Sequence, residues 1–156
     1  AGPVRLAGVD DAPSLGRLLH AFNTEFDCPV PEVAELGTRF AGLLSGDDVL
    51  AVIAADPSGD GDDVGFGLIT LRPTPYWDGP LAQLEELYVR PDQRSRGIGT
   101  ALIDRARSES AARGAHEMHL IVATEDVDAR RFYARHGFSD TDPDSGSGLL
   151  CYLRQL

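Results

Sequence analysis

The chain contains no lysine; all 14 of its basic side chains are arginine. That removes the phosphate-binding pattern G-x-x-x-x-G-K-[ST], whose lysine reaches the outer phosphates. Long apolar runs are missing too: none approaches the ~18 residues that a membrane-crossing helix needs, so no membrane partner is expected. Cysteine is scarce, and Cys28 and Cys151 stand far apart with no metal or redox spacing. Free thiols in a reducing, cytoplasmic setting are the expectation. Among His20, His116, His119 and His136 no pair has a third ligand or an acid to complete it, so neither a metal site nor a triad is expected. Internal repeats are absent. The opening Ala1-Gly2-Pro3 lacks the basic and apolar regions of a signal peptide.

What is present fits one ordinary globular domain over residues 1–156, with 42% hydrophobic and 25% charged residues. The formal net charge is −11, and its distribution is uneven. Residues 1–88 hold 4 Arg against 15 Asp and Glu, whereas residues 89–156 hold 10 of each sign. Such a surface excludes nucleic acid as a partner and attracts cationic small molecules or basic peptides. The run from Asp56 to Asp63 reads as a solvated hairpin loop that adds charge without a task.

Apolar periodicity divides the chain into alternating strands and helices. Val4–Leu6 reads as a first strand, followed by a helix capped by Asp10 or Asp11 and running through Leu15, Leu18, Leu19 and Phe22. A second helix spans about 31–44 and ends at Gly46. Residues 49–55 and 64–71 form an apolar hairpin, with Gly65 and Gly67 marking close packing or a bulge. A proline-rich loop around Tyr76, Trp77 and Asp78 leads into a fourth strand, 82–89. A third helix follows from Gly97 to about Arg113, then a fifth strand at 119–122 and a fourth helix from Asp126 or Asp128 to Gly137. Phe138 opens a sixth strand and 149–153 form the last.

Residues 84–102, LEELYVRPDQRSRGIGTAL, are where chemistry concentrates. A strand, a glycine-bearing turn and a helix start in that order make an anion site, because unpaired backbone N–H groups and the helix dipole both favour negative charge. Arg94 and Arg96 add guanidinium groups that pair with phosphate oxygens. The dinucleotide pattern G-x-G-x-x-G fails, since Leu102 stands where its third glycine belongs. The pattern that fits is R-x-x-G-x-G, Arg94 to Gly99, and it resembles the acetyl-CoA loop of the GNAT superfamily of N-acetyltransferases. Downstream, Ala129 to Phe138 reads A-x-x-F-Y-x-x-x-G-F, similar to the closing signature of the same family.

The resemblance implies an α/β fold with a mixed, mostly antiparallel central sheet of about seven strands, flanked by about four helices on both faces, its fourth and fifth strands splayed. It implies acetyl-CoA as cofactor, with the pantetheine arm along Leu87, Tyr88 and Val89 and the pyrophosphate at Arg94, Ser95, Arg96, Gly97, Ile98, Gly99 and Thr100. Asp126 stands where the family often has an asparagine that contacts the cofactor. The fourth strand is similar to that of spermidine/spermine N-acetyltransferase, which makes Glu85 the general base and Glu86 an acceptor ligand. Strict alternation puts Glu85 and Glu86 on opposite faces, so a bulge is needed to bring them together. Tyr133 takes the place of the general acid. With ordinary values of roughly 10 for tyrosine and 8.5 for a thiol, proton transfer to the thiolate is uphill by ~2 kcal/mol, so the hydroxyl acts mainly as a hydrogen-bond donor. Glu25, Asp27, Trp77 and Glu86 are the expected acceptor-binding residues.

The expected reaction is direct attack of a primary amine in a ternary complex, since no Cys or Ser is placed to carry an acyl intermediate. A polyamine- or aminoglycoside-like cation is the expected acceptor. A peptide N-terminus or protein lysine is the alternative acceptor, and a non-catalytic acyl-CoA sensor the alternative class. A homodimer is compatible with the reading.

Overall fold

Proline and charge set the first boundaries. A computed structural model describes residues 4–156, and Ala1-Gly2-Pro3 lies outside them. After strand β1 (Val4–Leu6) a short 3-10 turn at Val9–Asp11 leads into helix α1 (Ala12–Glu25), with Pro13 in its first turn, where a missing N–H costs nothing. Helix α2 (Val33–Leu44) follows. The two helices approach closely at glycines: a Cβ on Gly16 would stand 2.9 Å from the Gly37 nitrogen and 3.0 Å from the Val33 carbonyl oxygen.

Strands β2 (Val49–Ala55), β3 (Asp63–Arg72) and β4 (Leu81–Val89) continue from β1 as an antiparallel meander. Helix α3 (Ile98–Ala112) then returns the chain to β5 (Met118–Leu120), which lies parallel to β4. The sheet order is β1-β2-β3-β4-β5. On one face Ala51, Ile53, Phe66 and Tyr88 pack with Ala12, Leu15 and Leu18 of α1 and Phe40 of α2. The other face belongs to α3, whose Leu102 lies against Gly65. Burial on both faces explains why β2 reads as an unbroken apolar run rather than an alternating one.

The expectation of seven strands in a mostly antiparallel sheet is corrected to a five-stranded mixed sheet. Phe138 and residues 149–153 carry no strand. Their apolar content suits a sheet, but the ladder between them stops at one bridge, Thr141 to Gly148, around a turn closed by the Asp142 carboxylate on the N–H groups of Asp144 and Ser145. The hairpin loop is corrected as well. Asp63 is no idle charge: it accepts from Arg5 at 3.0 and 3.2 Å and from Ser14 Oγ at 2.6 Å, joining β3 to β1 and α1.

The chain divides into two compact units, one ending at Leu120 and one spanning Ile121–Leu156. The second contains helix α4 (Val127–Arg135), capped by Asp126, whose carboxylate accepts from the Ala129 N–H at 3.0 Å. Among the described residues no helix is long and apolar enough to cross a membrane.

Candidate active site

Two features of β4 build the site. The first is where its pairing with β5 stops. The parallel ladder runs only from Ala82 to Leu84, opposite Met118 to Leu120, so among the described residues Glu85 to Val89 have no strand on that edge. The second is a bulge. Leu68 of β3 pairs with Glu86 and Ile69 with Leu84, which leaves Glu85 as an extra residue. Alternation then restarts, and Gln83, Glu86 and Tyr88 all stand opposite residues that look toward α1 and α2, namely Thr70, Leu68 and Phe66. Glu85 joins them: its Oε1 accepts from Thr70 Oγ1 at 2.6 Å and its Oε2 from Gln83 Nε2 at 3.5 Å. The bulge that strict alternation required is therefore present, and the two carboxylates share a face. Burial holds the Glu86 carboxyl above the usual carboxylate range, and the neighbouring charge of Glu85 pushes it the same way.

Beyond Val89 the chain turns through Pro91–Gln93 into the loop before α3. Ser95 and Gly97 both have positive φ, 62° and 79°, and Gly97 caps α3 with open space where a side chain would point. Glycine takes this left-handed conformation freely, whereas a Cβ strains it. The first N–H groups of a helix have no partner within it, and Ser95, Arg96, Gly97, Ile98 and Gly99 lie where the chain enters α3. Orphan donors at a helix start form a cradle for an oxyanion, and that donor set fits a pyrophosphate.

The loop's two arginines differ. Arg96 Nη1 donates to Gln93 Oε1 at 3.1 Å, and buried Gln93 in turn donates to Asp56 at 3.2 Å. Gln93 was not singled out in the sequence, since a glutamine in a polar turn gives no sign of burial. Arg94 is engaged elsewhere. Its Nη2 meets both oxygens of Glu25 at 2.9 and 2.6 Å, its Nε donates to the Val89 carbonyl at 2.9 Å, and its guanidinium lies 5.8 Å from the centre of the Tyr88 ring. Tyr88 stacks on Phe22 of α1 at 4.9 Å.

The expected acceptor residues thus scatter. Glu86 lies beside Glu85, while Glu25 is bound to Arg94. Asp27 is exposed in the turn after α1 at φ 53°. Trp77 is held at the start of β4, donating to the Pro80 carbonyl at 3.1 Å with its ring 5.7 Å from that of His116. In the second unit Tyr133 packs edge-on against Phe132 and Phe138 at 5.4 and 5.9 Å, and Asp126 uses its carboxylate as the cap of α4.

The layout is that of an α/β acetyltransferase domain. The chain belongs to the acetyltransferase (GNAT) family, which it matches over residues 18–138. It is 41% identical over 66 residues to an uncharacterized N-acetyltransferase of Methanocaldococcus jannaschii, a match covering 42% of this chain and only 29% of that one. It is 28% identical to an aminoglycoside N(6')-acetyltransferase type 1 of Stenotrophomonas maltophilia, across 91% of this chain and 89% of the relative. A crystal structure from Arthrobacter sp. FB24 that carries the acetyltransferase name superposes with a TM-score of 0.89 at 38% identity, covering all of this chain and 97% of the other. The fold alone is shared with an aminoglycoside N-acetyltransferase solved with CoA, at a TM-score of 0.76 and 20% identity, over 99% and 95% of the two chains.

Proposed function

We propose that residues 1–156 form one N-acetyltransferase domain that moves an acetyl group from acetyl-CoA to a primary amine on a cationic small molecule, polyamine- or aminoglycoside-like. The observation that carries this reading is the bulge in β4, which sets Glu85 and Glu86 side by side on the edge that runs into the N–H cradle. The family match runs from one unit into the other, which supports treating the chain as one domain. The relative named as an aminoglycoside acetyltransferase, matched along nearly its whole length, supports a cationic acceptor.

Acetyl-CoA supplies the acetyl group as a reactive thioester. The N–H groups of Ser95 to Gly99 would hold its pyrophosphate, with Arg96 as the adjoining cation, and the open edge at Leu87, Tyr88 and Val89 would receive its amide-bearing arm. An alkylammonium with a pKa of about 10 must lose a proton before it attacks, at a cost of about 4 kcal/mol at neutral pH. Glu86, with its raised pKa, is the better matched base, since a base works best when its pKa nears the working pH. Glu85, fixed by Thr70 and Gln83, holds the ammonium in place. These roles reverse the ones the sequence resemblance implies for the pair. As the family resemblance implies, Tyr133 would donate a hydrogen bond to the thiolate as it departs.

The test is a series of primary amines of matched size and increasing positive charge, assayed for thiol release from acetyl-CoA at low and high salt. We expect kcat/KM to rise about fivefold per charge, equivalent to about 1 kcal/mol, and to fall with salt. Equal use of neutral amines with no salt effect would remove the cationic acceptor from the reading. A basic peptide that outperforms every small amine would move the acceptor to the protein class.

A further inference from the structure

The first arginine of R-x-x-G-x-G sits at the head of a phosphate-binding loop, yet its guanidinium is committed elsewhere. Three of its contacts point in different directions. The contact of Nη2 with both Glu25 oxygens reaches the last residue of α1. The bond from Nε reaches the carbonyl of Val89, the last residue of β4. The flat face lies near Tyr88, which is itself stacked on Phe22 one turn before Glu25. A planar guanidinium is suited to this work, because its donors are fixed in direction, so Nη2 can serve the carboxylate while Nε serves the carbonyl. With the Glu25 side chain 24% exposed and that of Arg94 44% exposed, the pair is partly shielded from solvent and salt.

We infer that Glu25 is a positioning residue for cofactor binding: it holds Arg94 as a crossbar between the end of α1, the end of β4 and the N–H loop, so an acid on the acceptor-side helix sets the affinity for CoA. The inference rests on the proposed CoA site and deepens it. Glu25 precedes the turn at Phe26 and Asp27, so the crossbar also ties the start of the α1–α2 connection to the cofactor loop. Without Glu25 the guanidinium loses the carboxylate that fixes its Nη2. The Val89 carbonyl and the backbone at Arg94 then lose their shared restraint, and the cradle of N–H groups must be ordered at the expense of binding.

The sign of the effect makes the inference testable. Removing a carboxylate near a polyanion site, or freeing an arginine to pair with phosphate, strengthens CoA binding by simple electrostatics. The positioning role predicts the reverse. The experiment is calorimetric titration of CoA into the full chain and into Glu25→Gln, Arg94→Gln and the double variant, with thermal melts alongside. We expect Glu25→Gln to weaken CoA roughly three- to tenfold. In the Arg94→Gln background the second substitution should add nothing, because the two residues act as one unit. Glu25→Asp, which keeps the charge but is shorter by a methylene, should recover part of the affinity. Unchanged or tighter binding by a folded Glu25→Gln overturns the crossbar, as does full additivity in the double variant. Failure of the unsubstituted chain to bind CoA would overturn the cofactor reading instead, so the two failures are separable.

Discussion

At the residue scale the decisive pair is Glu85 and Glu86, and their difference makes a prediction in two observables. Glu86 has a folded-state pKa above its ordinary value, caused by burial and then by the charge on Glu85. The folded protein therefore binds more protons than the unfolded chain between the ordinary glutamate value and the raised one. Stability must fall as pH rises through that window, and the penalty persists at neutral pH. Glu86→Gln should consequently melt higher than the unsubstituted protein at pH 7 and alike well below pH 4, a comparison that thermal melts at the two pH values make directly. The same substitution should lower kcat/KM by about a hundredfold and flatten the acid limb of its pH profile. Glu85→Gln should instead raise the acceptor KM and leave that limb in place. Both glutamates were visible in the sequence. Their shared face was not, because a bulge is a property of two paired strands and the partner residues, Leu68 and Ile69, lie far back in the chain.

At the element scale, α1 carries Phe22 and Glu25 to Tyr88 and Arg94, and its position depends on how closely it crosses α2. Gly16→Ala tests this. The new Cβ would meet the Gly37 nitrogen at 2.9 Å and the Val33 oxygen at 3.0 Å, both rigid backbone atoms, so the helices must separate. Alanine gains about 1 kcal/mol over glycine in helix propensity, while overpacking at a tight crossing costs typically 1–3 kcal/mol. Steric cost wins, and we expect a net loss of about 1 kcal/mol in urea unfolding. CoA affinity should fall with it, since α1 moves with its Glu25. A stabilised variant would mean that the crossing has slack. The helices themselves were legible from apolar spacing, and so were β2, β3 and β4, because buried strands and amphipathic helices leave strong patterns. Apolar content misled at residues 149–153, where a run suited to a sheet has no ladder to join. The local bond from the Trp77 indole N–H to the Pro80 carbonyl has no signature in the sequence. The tie between Arg94 and Glu25 spans 69 positions and leaves no periodic trace.

At the scale of the whole molecule the acid excess has a cost that a salt series exposes. The ion pairs that hold the first unit together, such as Arg5 with Asp63 and Asp11 at 3.0 and 2.7 Å, lie well inside the ~8 Å screening length and are weakened little by added salt. Repulsion among the remaining carboxylates of residues 1–88 acts over longer distances and is screened strongly. The long-range term should therefore dominate the response, and the melting temperature should rise with sodium chloride by roughly 3–6 °C, about 3 °C per kcal/mol of repulsion relieved. Acceptor KM should rise over the same series, because screening also removes the attraction for a cation. The opposite directions matter: under the proposed cationic acceptor, one field would destabilise the fold and recruit the acceptor. Asp47→Asn with Asp62→Asn removes two exposed carboxylates that hold none of the ion pairs. That variant should melt higher at low salt, gain less from added salt, and keep the β4 site intact. A melting temperature flat in salt, with acceptor KM still rising, would confine the useful field to Glu85 and Glu86 and leave the rest of the acid excess to solubility alone.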